Sequence, residues 1–359
     1  MNFDLSDDQR MLQDSIQRLI AERAPFDRRV SMRNEPNGWS REIWNEFVAL
    51  GLTMFPFPEA VGGLGLGSFE LMLVAEAFGR GLVAEPYLSS IVLAGTAICE
   101  GAGDRAEDLL APIISGESIA ALADDCDVTL TDGRLSGHAR MVLGGDCADL
   151  FVLPVKGGAY LIKADSEGLT RRNYLIHGGG GAADFVLNGV AIDSAAHLAE
   201  GCVARAIQAG IAFVAAEACG AMQGALDTTV EYIKTREQFG KPIGSNQALQ
   251  HRAAEMMVEV EQARSAAIYA AALWSESDEM ERARGYAAVK AVIGKSARFV
   301  SQSAVQLHGG IGVSEEHVVS HWFRRLTAIG LLLGNTEHHL KQLADLGGFT
   351  TPEHHFAQA

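Results

Sequence analysis

The sequence predicts an α+β fold that is mainly helical, because a short stretch of strand-like segments interrupts two long regions of helical periodicity. We place an N-terminal helical domain at residues 1–118, a small antiparallel β domain at 119–195 and a C-terminal four-helix bundle at 196–359. A chain of 359 residues is long enough for two or three domains with a sizeable buried core.

The N-terminal domain begins with a capping box, Ser6-Asp-Asp-Gln9, in which the serine caps the first turn and the glutamine reaches back. Apolar residues at helical spacing predict further helices over residues 68–81 and 89–99. The prolines and glycines of residues 55–67 exclude a helix there, so we expect a loop before the second helix.

Short apolar segments bounded by turn residues predict the strands of the β domain. A glycine-rich segment, Gly178–Gly181, precedes the last of these strands. We interpret it as a hairpin turn, with a phosphate-binding loop as the alternative. The clearest strands are residues 127–131, 150–155, 159–163 and 183–187.

Long amphipathic segments predict the C-terminal bundle, because four consecutive helices of this length bury their apolar faces against one another. Ser245 or Asn246 is expected to cap the second helix, and Gly309 with Gly310 to end the third. The predicted helices cover residues 203–234, 246–274, 281–307, 315–332 and 336–346.

Composition narrows the classes of function. A net charge of −16 argues against nucleic acid or an anionic membrane as partner, since both require a basic surface. No run approaches the ~20 apolar residues of a membrane span, and the N-terminus resembles no signal peptide. Five widely spaced cysteines without a CxxC motif predict reduced thiols rather than zinc or disulfides, so we expect a cytoplasmic protein.

Two segments carry the chemistry: Thr235-Arg-Glu-Gln-Phe-Gly-Lys-Pro-Ile-Gly-Ser-Asn-Gln247 and Gln306-Leu-His-Gly-Gly-Ile-Gly312. A guanidinium fork suits a diphosphate, an aromatic face suits an adenine, and paired glycines allow close backbone approach. Both segments resemble signatures of the acyl-CoA dehydrogenase family, flavoenzymes that oxidise acyl-CoA thioesters to 2-enoyl-CoA. The order of the three predicted domains is also that of the family.

The resemblance implies contacts to the FAD of a neighbouring subunit. On residue types alone, Arg236 could instead complement a helix dipole, Phe239 could be a core residue and Gln306 a solvated amide. The residues that match the FAD-contact positions of the family are Arg236, Phe239, Gln247, Gln306, Gly309 and Gly310.

Other features of the family are missing. Its loop that holds the flavin ring would lie at Ala120-Ala-Leu-Ala-Asp-Asp-Cys-Asp127, where the chain continues directly to the next strand. Its flavin-side tryptophan segment aligns with Met141-Val-Leu-Gly-Gly145. The two known positions of the catalytic glutamate are occupied by Leu333 and Gly210, neither of which can abstract a proton.

Substitutes for the missing base and candidate metal ligands are few. Glu337 is a weak candidate base one helical turn beyond Leu333, and Glu217 is a weaker one. The histidine pairs 338–339 and 354–355 could bind a metal, but adjacent histidines on a helix diverge, so we expect solvated side chains and no metal site.

The lost features serve a subunit's own flavin, whereas the retained ones reach into the neighbour's site. The resemblance therefore implies the non-catalytic small subunit of a bacterial α2β2 acyl-CoA dehydrogenase, of the pimeloyl-CoA or steroid side-chain type. Its partners would be a catalytic subunit, an acyl-CoA substrate and, through the complex, an electron-transferring flavoprotein. The alternatives are a homomeric dehydrogenase with a relocated base and a non-redox scaffold of the same fold.

Overall fold

The computed structural model of the chain describes residues 5–33, 35 and 37–348, so the histidine pair 354–355 lies outside the described residues. The predicted capping box is confirmed, since the Gln9 amide donates to Ser6 Oγ at 3.2 Å. A π-helical segment, Leu88–Gly95, runs directly into the fifth helix. The helices of the N-terminal domain are α1 (Asp7–Arg23), α2 (Phe26–Met32), α3 (Arg41–Ala49), α4 (Ser68–Gly81), α5 (Thr96–Gly101) and α6 (Ala106–Ile114).

Two four-stranded sheets form the β domain. Strand order is β1-β4-β5-β8 in one sheet and β2-β3-β7-β6 in the other. All pairs are antiparallel except β1 with β4, a parallel pair that the sequence did not predict. The strands are β1 (Ala120–Leu122), β2 (Asp125–Thr131), β3 (Arg134–Leu143), β4 (Leu150–Val155), β5 (Gly158–Lys163), β6 (Leu169–Leu175), β7 (Gly181–Ala191) and β8 (His197–Leu198).

The glycine-rich segment connects β6 to β7, as the hairpin interpretation predicted. Gly178, Gly179 and Gly180 all have positive φ, which explains why this turn uses glycine. A Cβ added to Gly178 would lie 3.0 Å from the Cβ of Ala328, so the turn packs closely against the C-terminal bundle.

The bundle contains the predicted long helices, with ends that differ from the prediction by a few residues. Together with the helical N-terminal domain and the sheets, they confirm the predicted fold class. The domain boundaries proposed above remain predictions. The helices are α7 (Cys202–Thr235), α8 (Gln247–Ala272), α9 (Glu279–His308), α10 (Val318–Leu331) and α11 (Thr336–Asp345).

Helix α7 is the central element of the chain. It is apolar and long enough to cross a membrane by composition, but 67% of its most apolar window is buried within the protein, as in a core helix. It contacts α4 at two glycines: a Cβ on Gly220 would lie 1.8 Å from the Glu76 carbonyl, and one on Gly79 would lie 1.8 Å from the Glu217 carbonyl. The backbones of α4 and α7 therefore touch at this crossing.

A buried ion pair joins α7 to α10. Arg325 Nε donates to Glu217 Oε1 at 2.5 Å, and both side chains are almost fully buried. Removing either partner would leave an uncompensated charge in the core, which is the costly way to break such a pair. Because Glu217 is paired with Arg325, its carboxylate stabilises the packing of α7 against α10.

The loop between β3 and β4 carries an unusual carboxylate, Asp146. Its side chain is 7% exposed, and neither of its oxygens has a hydrogen-bond partner among the described residues. Burial raises the pKa of Asp146 to about 6, although the nearby backbone amides of Asp146 and Cys147 and the charge of Arg171 oppose this. In an unfolded chain, an aspartate has a pKa of about 3.9.

We predict that Asp146→Asn changes the pH dependence of stability. Since the folded chain binds the Asp146 proton more tightly than the unfolded chain, the free energy of unfolding falls as pH rises from about 4 to about 6. Asparagine does not titrate, so the variant should gain stability relative to wild type over this interval. Urea unfolding at a series of pH values measures this, with the exposed Asp165→Asn as control. Parallel pH profiles for wild type and Asp146→Asn would contradict it.

Candidate functional site

The segment between α7 and α8 forms a tight β-hairpin at one end of the bundle. Strands β9 (Glu237–Gln238) and β10 (Lys241–Pro242) pair antiparallel, and Phe239 and Gly240 form the two-residue turn. Both turn residues have positive φ, 54° and 76°, as a type I′ turn requires. The Ile243 amide closes the base of the hairpin by donating to the Arg236 carbonyl at 2.8 Å.

Phe239 projects from the tip of this hairpin with its side chain 100% exposed. A bulky residue at positive φ is unusual, and a fully exposed aromatic ring gains nothing from the fold of its own chain. The alternative interpretation of Phe239 as a core residue is therefore wrong. The position suits a ring that contacts something outside this chain.

Arg236 follows the last residue of α7 and is exposed at the base of the hairpin. Its side chain makes no hydrogen bond or ion pair within the described part of the chain. Residues 234–252 include four Lys or Arg and a single acidic residue, so this end of the bundle is basic within an acidic protein. An exposed guanidinium in a basic segment is available to an anionic group such as a diphosphate.

The N-terminus of α8 lies beside the same hairpin. Asn246 is its N-cap residue, as predicted, but its side chain makes no capping bond and instead donates to the Ile243 carbonyl at 2.9 Å. Ser245 makes no capping bond either, since its hydroxyl donates to the Pro242 carbonyl. Gln247, the first helical residue, is exposed. The first amides of α8 thus remain available to an anion.

The second motif lies at the C-terminus of α9. Gln306 is exposed in the last helical turn, and Gly309 ends the helix with φ of 63°. No atom of the described residues lies within 4 Å of a Cβ added to Gly309 or Gly310, so internal packing does not explain these glycines. Both leave an open backbone surface that another molecule can approach closely.

Contact between Tyr232 and His308 brings the two motifs together. Their rings stack with centroids 4.4 Å apart, and the Tyr232 hydroxyl donates to the His308 carbonyl at 3.4 Å. Tyr232 lies one turn before Arg236, and His308 lies between Gln306 and Gly309. Sequence reasoning did not identify this contact, and only the positions of Tyr232 and His308 near helix ends could have suggested it.

The connection between β1 and β2 does not contain the loop that holds the flavin ring in the family. Only two residues separate β1 from β2, which leaves no room for the loop that the family has there. Met141 lies at an irregularity in the pairing of β3 with β7, with φ of 45° and a half-exposed side chain. It supplies neither an indole nor a hydroxyl.

The two positions that correspond to a catalytic base meet in space. A Cβ added to Gly210 on α7 would lie 2.8 Å from Leu333 Cδ1 and 2.6 Å from Leu93 Cδ2. Leucine side chains therefore occupy the space beside Gly210. Glu337 is exposed and lines a separate cleft with Arg298, and Glu217 is committed to Arg325.

Two buried side chains donate hydrogen bonds to backbone carbonyls in the loop around Leu333. Lys290 Nζ donates to the Gly334 carbonyl at 2.8 Å, and burial lowers the pKa of this amine to about 8. His339 Nε2 donates to the Leu333 carbonyl at 2.7 Å. These bonds fix Leu333 at φ of 57°, a conformation that is uncommon for leucine.

His339 also corrects the prediction for the histidine pair 338–339. His338 is exposed as expected, but His339 is buried and hydrogen-bonded to the backbone, so the prediction of a solvated side chain is wrong for it. Within the described ranges, no group of three or more His, Cys, Asp or Glu residues could hold a metal ion.

Comparison with known proteins assigns the chain to a family. The family model for the acyl-CoA dehydrogenase N-terminal domain matches residues 6–117, and that for the C-terminal domain matches residues 202–346. The acyl-CoA dehydrogenase IpdE2 of Mycobacterium tuberculosis is 30% identical over 349 residues, covering 94% of this chain and 96% of the relative.

Solved structures agree in fold along the whole chain. A chain of the ChsE4-ChsE5 complex from Mycobacterium tuberculosis superposes with a TM-score of 0.90 at 24% identity, covering 98% of this chain and all of that one. A chain of the Tcur3481-Tcur3483 steroid ACAD superposes with a TM-score of 0.88 at 25% identity, covering 95% and 97%. Members of the family are FAD-dependent oxidoreductases that act on CH–CH bonds. This chain belongs to the acyl-CoA dehydrogenase family.

Proposed function

We propose that this chain is the non-catalytic subunit of a heteromeric α2β2 acyl-CoA dehydrogenase and that it supplies FAD contacts to a catalytic partner. The observation that carries the proposal is that one half of the family's site is retained in this chain and the other half is not. The six contact residues are exposed at one end of the bundle, while the chain's own base positions are apolar and filled. Such a chain can complete a neighbour's site but not its own.

The exposed end of the bundle fits the adenosine diphosphate half of FAD. Arg236 and the free amides of α8 suit the diphosphate, and the open glycines at the end of α9 let phosphate oxygens approach the backbone. Phe239 offers an aromatic face to the adenine. Gln247 and Gln306 supply amides that both donate and accept hydrogen bonds.

The chain's own cleft does not fit the flavin half. The loop that would hold the ring is absent between β1 and β2, and leucines fill the space beside Gly210 where a carboxylate would be needed. Proton abstraction from the substrate requires a positioned base. We therefore assign that base to the partner subunit.

In the complex, the partner's carboxylate would remove the α-proton of the acyl-CoA, and FAD would supply the acceptor for the β-hydride. The residues of this chain bind and orient the far end of the cofactor. Arg236 and the α8 amides would hold the diphosphate, and the Phe239 hairpin would hold the adenosine. Their contribution is to cofactor affinity and position rather than to proton transfer.

The printed names of two similar solved structures support a complex of two chains and a steroid substrate. ChsE4-ChsE5 is described as a complex, and the Tcur3481-Tcur3483 protein as a steroid ACAD. These descriptions favour the steroid type over the pimeloyl-CoA type. The cytoplasm as location and an electron-transferring flavoprotein as acceptor remain part of the proposal.

A homomeric dehydrogenase with a relocated base is the main rival. Glu337, its candidate base, is exposed and lines a cleft other than the one between Gly210 and Leu333. A non-redox scaffold is the second rival. A scaffold without flavin leaves the full exposure of Phe239 beside an uncapped helix unexplained, whereas the homomeric rival is disfavoured by the apolar side chains at its base positions.

We predict that the chain purified alone carries little FAD, well below one molecule per chain, because it lacks the flavin-ring side of the site. Co-expression with a catalytic partner should give a stable complex with one FAD per pair of chains. Native mass together with flavin absorbance measures both quantities. One FAD per chain in a homo-oligomer would contradict the proposal and favour the relocated base, whereas a complex without flavin would favour the scaffold.

The variant Arg236→Ala should weaken FAD retention by the complex about tenfold or more, because a charge-assisted bond to phosphate contributes about 1.5–3 kcal/mol. Equilibrium dialysis of the complex against flavin-free buffer gives the affinity. Arg18→Ala, at another exposed arginine, is the matched control. Retention within twofold of wild type would remove Arg236 from the cofactor site.

The variant Phe239→Asn separates a cofactor role from a structural one. Asparagine adopts positive φ readily and suits a type I′ turn before glycine, so the free energy of unfolding of the isolated chain should be equal to that of the wild type or higher. The complex should nevertheless hold FAD more weakly, since the ring that covers the adenine is gone. Unchanged FAD affinity would show that the ring does not contact the cofactor.

A further inference from the structure

A small cavity lies at the junction of the N-terminal domain and the bundle. Its walls come from the glycine-rich loop before α4, from α4 itself, from Thr96 at the start of α5, and from α7, α8 and α9. The cavity offers about 50 Å³ of space to the centres of water molecules. Small side chains such as Ala212 on α7 leave this space open.

Tyr286 on α9 lines the cavity with a hydroxyl that has no partner. The residue is 1% exposed, and its oxygen makes no hydrogen bond within the described part of the chain. Burial raises the pKa of Tyr286 to about 12, so the phenol is neutral and can donate its proton. A nearby Ser68 hydroxyl is already used, since it donates to the Ala271 carbonyl at 2.7 Å. Among the side chains that line the cavity, Tyr286 therefore carries the fully buried polar atom without a partner in the described part of the chain.

This cavity is separate from the cleft of the proposed function. Gly210 on α7 faces Leu93 and Leu333, and none of these three residues lines the cavity. The cavity is lined instead by Ala212, which lies almost opposite Gly210 on α7, together with Ala209 and Phe213. A molecule bound here would not occupy the space beside the base positions.

The two arginines near the cavity already interact with other groups of the chain, which favours a neutral ligand. Arg205 stacks on the Trp274 ring with its guanidinium carbon 3.8 Å from the ring centroid. Arg282 donates to the Gln208 side chain at 2.9 Å and to the Glu276 carbonyl at 2.7 Å. Neither guanidinium is left to bind an anion, and the remaining walls are mostly apolar.

We propose that this cavity binds a small neutral molecule that carries one hydrogen-bond acceptor, such as a ketone or an alcohol. Its oxygen accepts the Tyr286 proton, and its apolar body lies against Ala212 and Phe213. The space corresponds to about four water molecules, and therefore to a ligand of about four to six heavy atoms. Because the walls come from both helical domains, the ligand would bridge them.

The test uses cyclopentanone as probe and cyclopentane as its match without an oxygen. Both are titrated into the full chain while the methyl resonances of labelled alanines, including Ala212, are followed by NMR. We expect a saturable shift with the ketone, an affinity about fivefold or more lower for cyclopentane, and the same loss of ketone affinity in Tyr286→Phe. Tyr286→Phe should bind cyclopentane as the wild type does.

Ala212→Leu fills the cavity and should abolish the saturable shift for both probes. Should either variant fail to fold, the preference of the wild type for ketone over hydrocarbon still decides the question. Equal affinity for the two probes, equal ketone affinity in wild type and Tyr286→Phe, or no saturable shift would each overturn the proposal. These outcomes are independent of FAD content, so they leave the proposed function to its own tests.

Discussion

The contact between α4 and α7 at Gly79 and Gly220 is the constraint on which the rest of the structure depends. A side chain on either glycine would collide with a carbonyl of the other helix at 1.8 Å, so the crossing requires glycine on both sides. Once α7 is fixed there, its first half places Gly210 against Leu93, its middle places Glu217 against Arg325, and its end places Tyr232 against His308. The filled cleft and the proposed cofactor-contact end thus lie near opposite ends of α7.

The two positions that correspond to the base in the family are packed with apolar side chains, so one substitution would not place a working carboxylate there. Leucines 93 and 333 occupy the space that glycine leaves at position 210, and Lys290 and His339 hold the Leu333 backbone in its uncommon conformation. A glutamate at 210 would collide with both leucines, and one at 333 would be placed among apolar side chains without a charged partner. The cleft is therefore an apolar packing arrangement in its own right.

The sequence predicted the long helices well because their apolar periodicity coincides with their buried faces, as in α4, observed over the predicted 68–81. It missed β6, whose mostly exposed Thr-Arg-Arg-Asn run has no alternation, and β3, whose glycine and bulges interrupt the pattern. The sequence does not reveal the burial of His339 because its partner, the Leu333 carbonyl six residues earlier, comes within reach only through the conformation of the loop before α11. The six contact residues came from family resemblance, while their proximity depends on the tertiary contact between Tyr232 and His308.

The Phe239 hairpin ties cofactor binding to assembly. In the isolated chain it holds an aromatic ring in water at a positive φ, an arrangement that costs free energy and returns none. Burial of the ring against another surface would offset that cost. If the surface is FAD held by a partner, the cofactor contacts both chains, and by linkage it must strengthen their association by the same factor by which association strengthens its binding. A subunit without its own chemistry would then still control how much flavin the complex holds, through Arg236 and this hairpin.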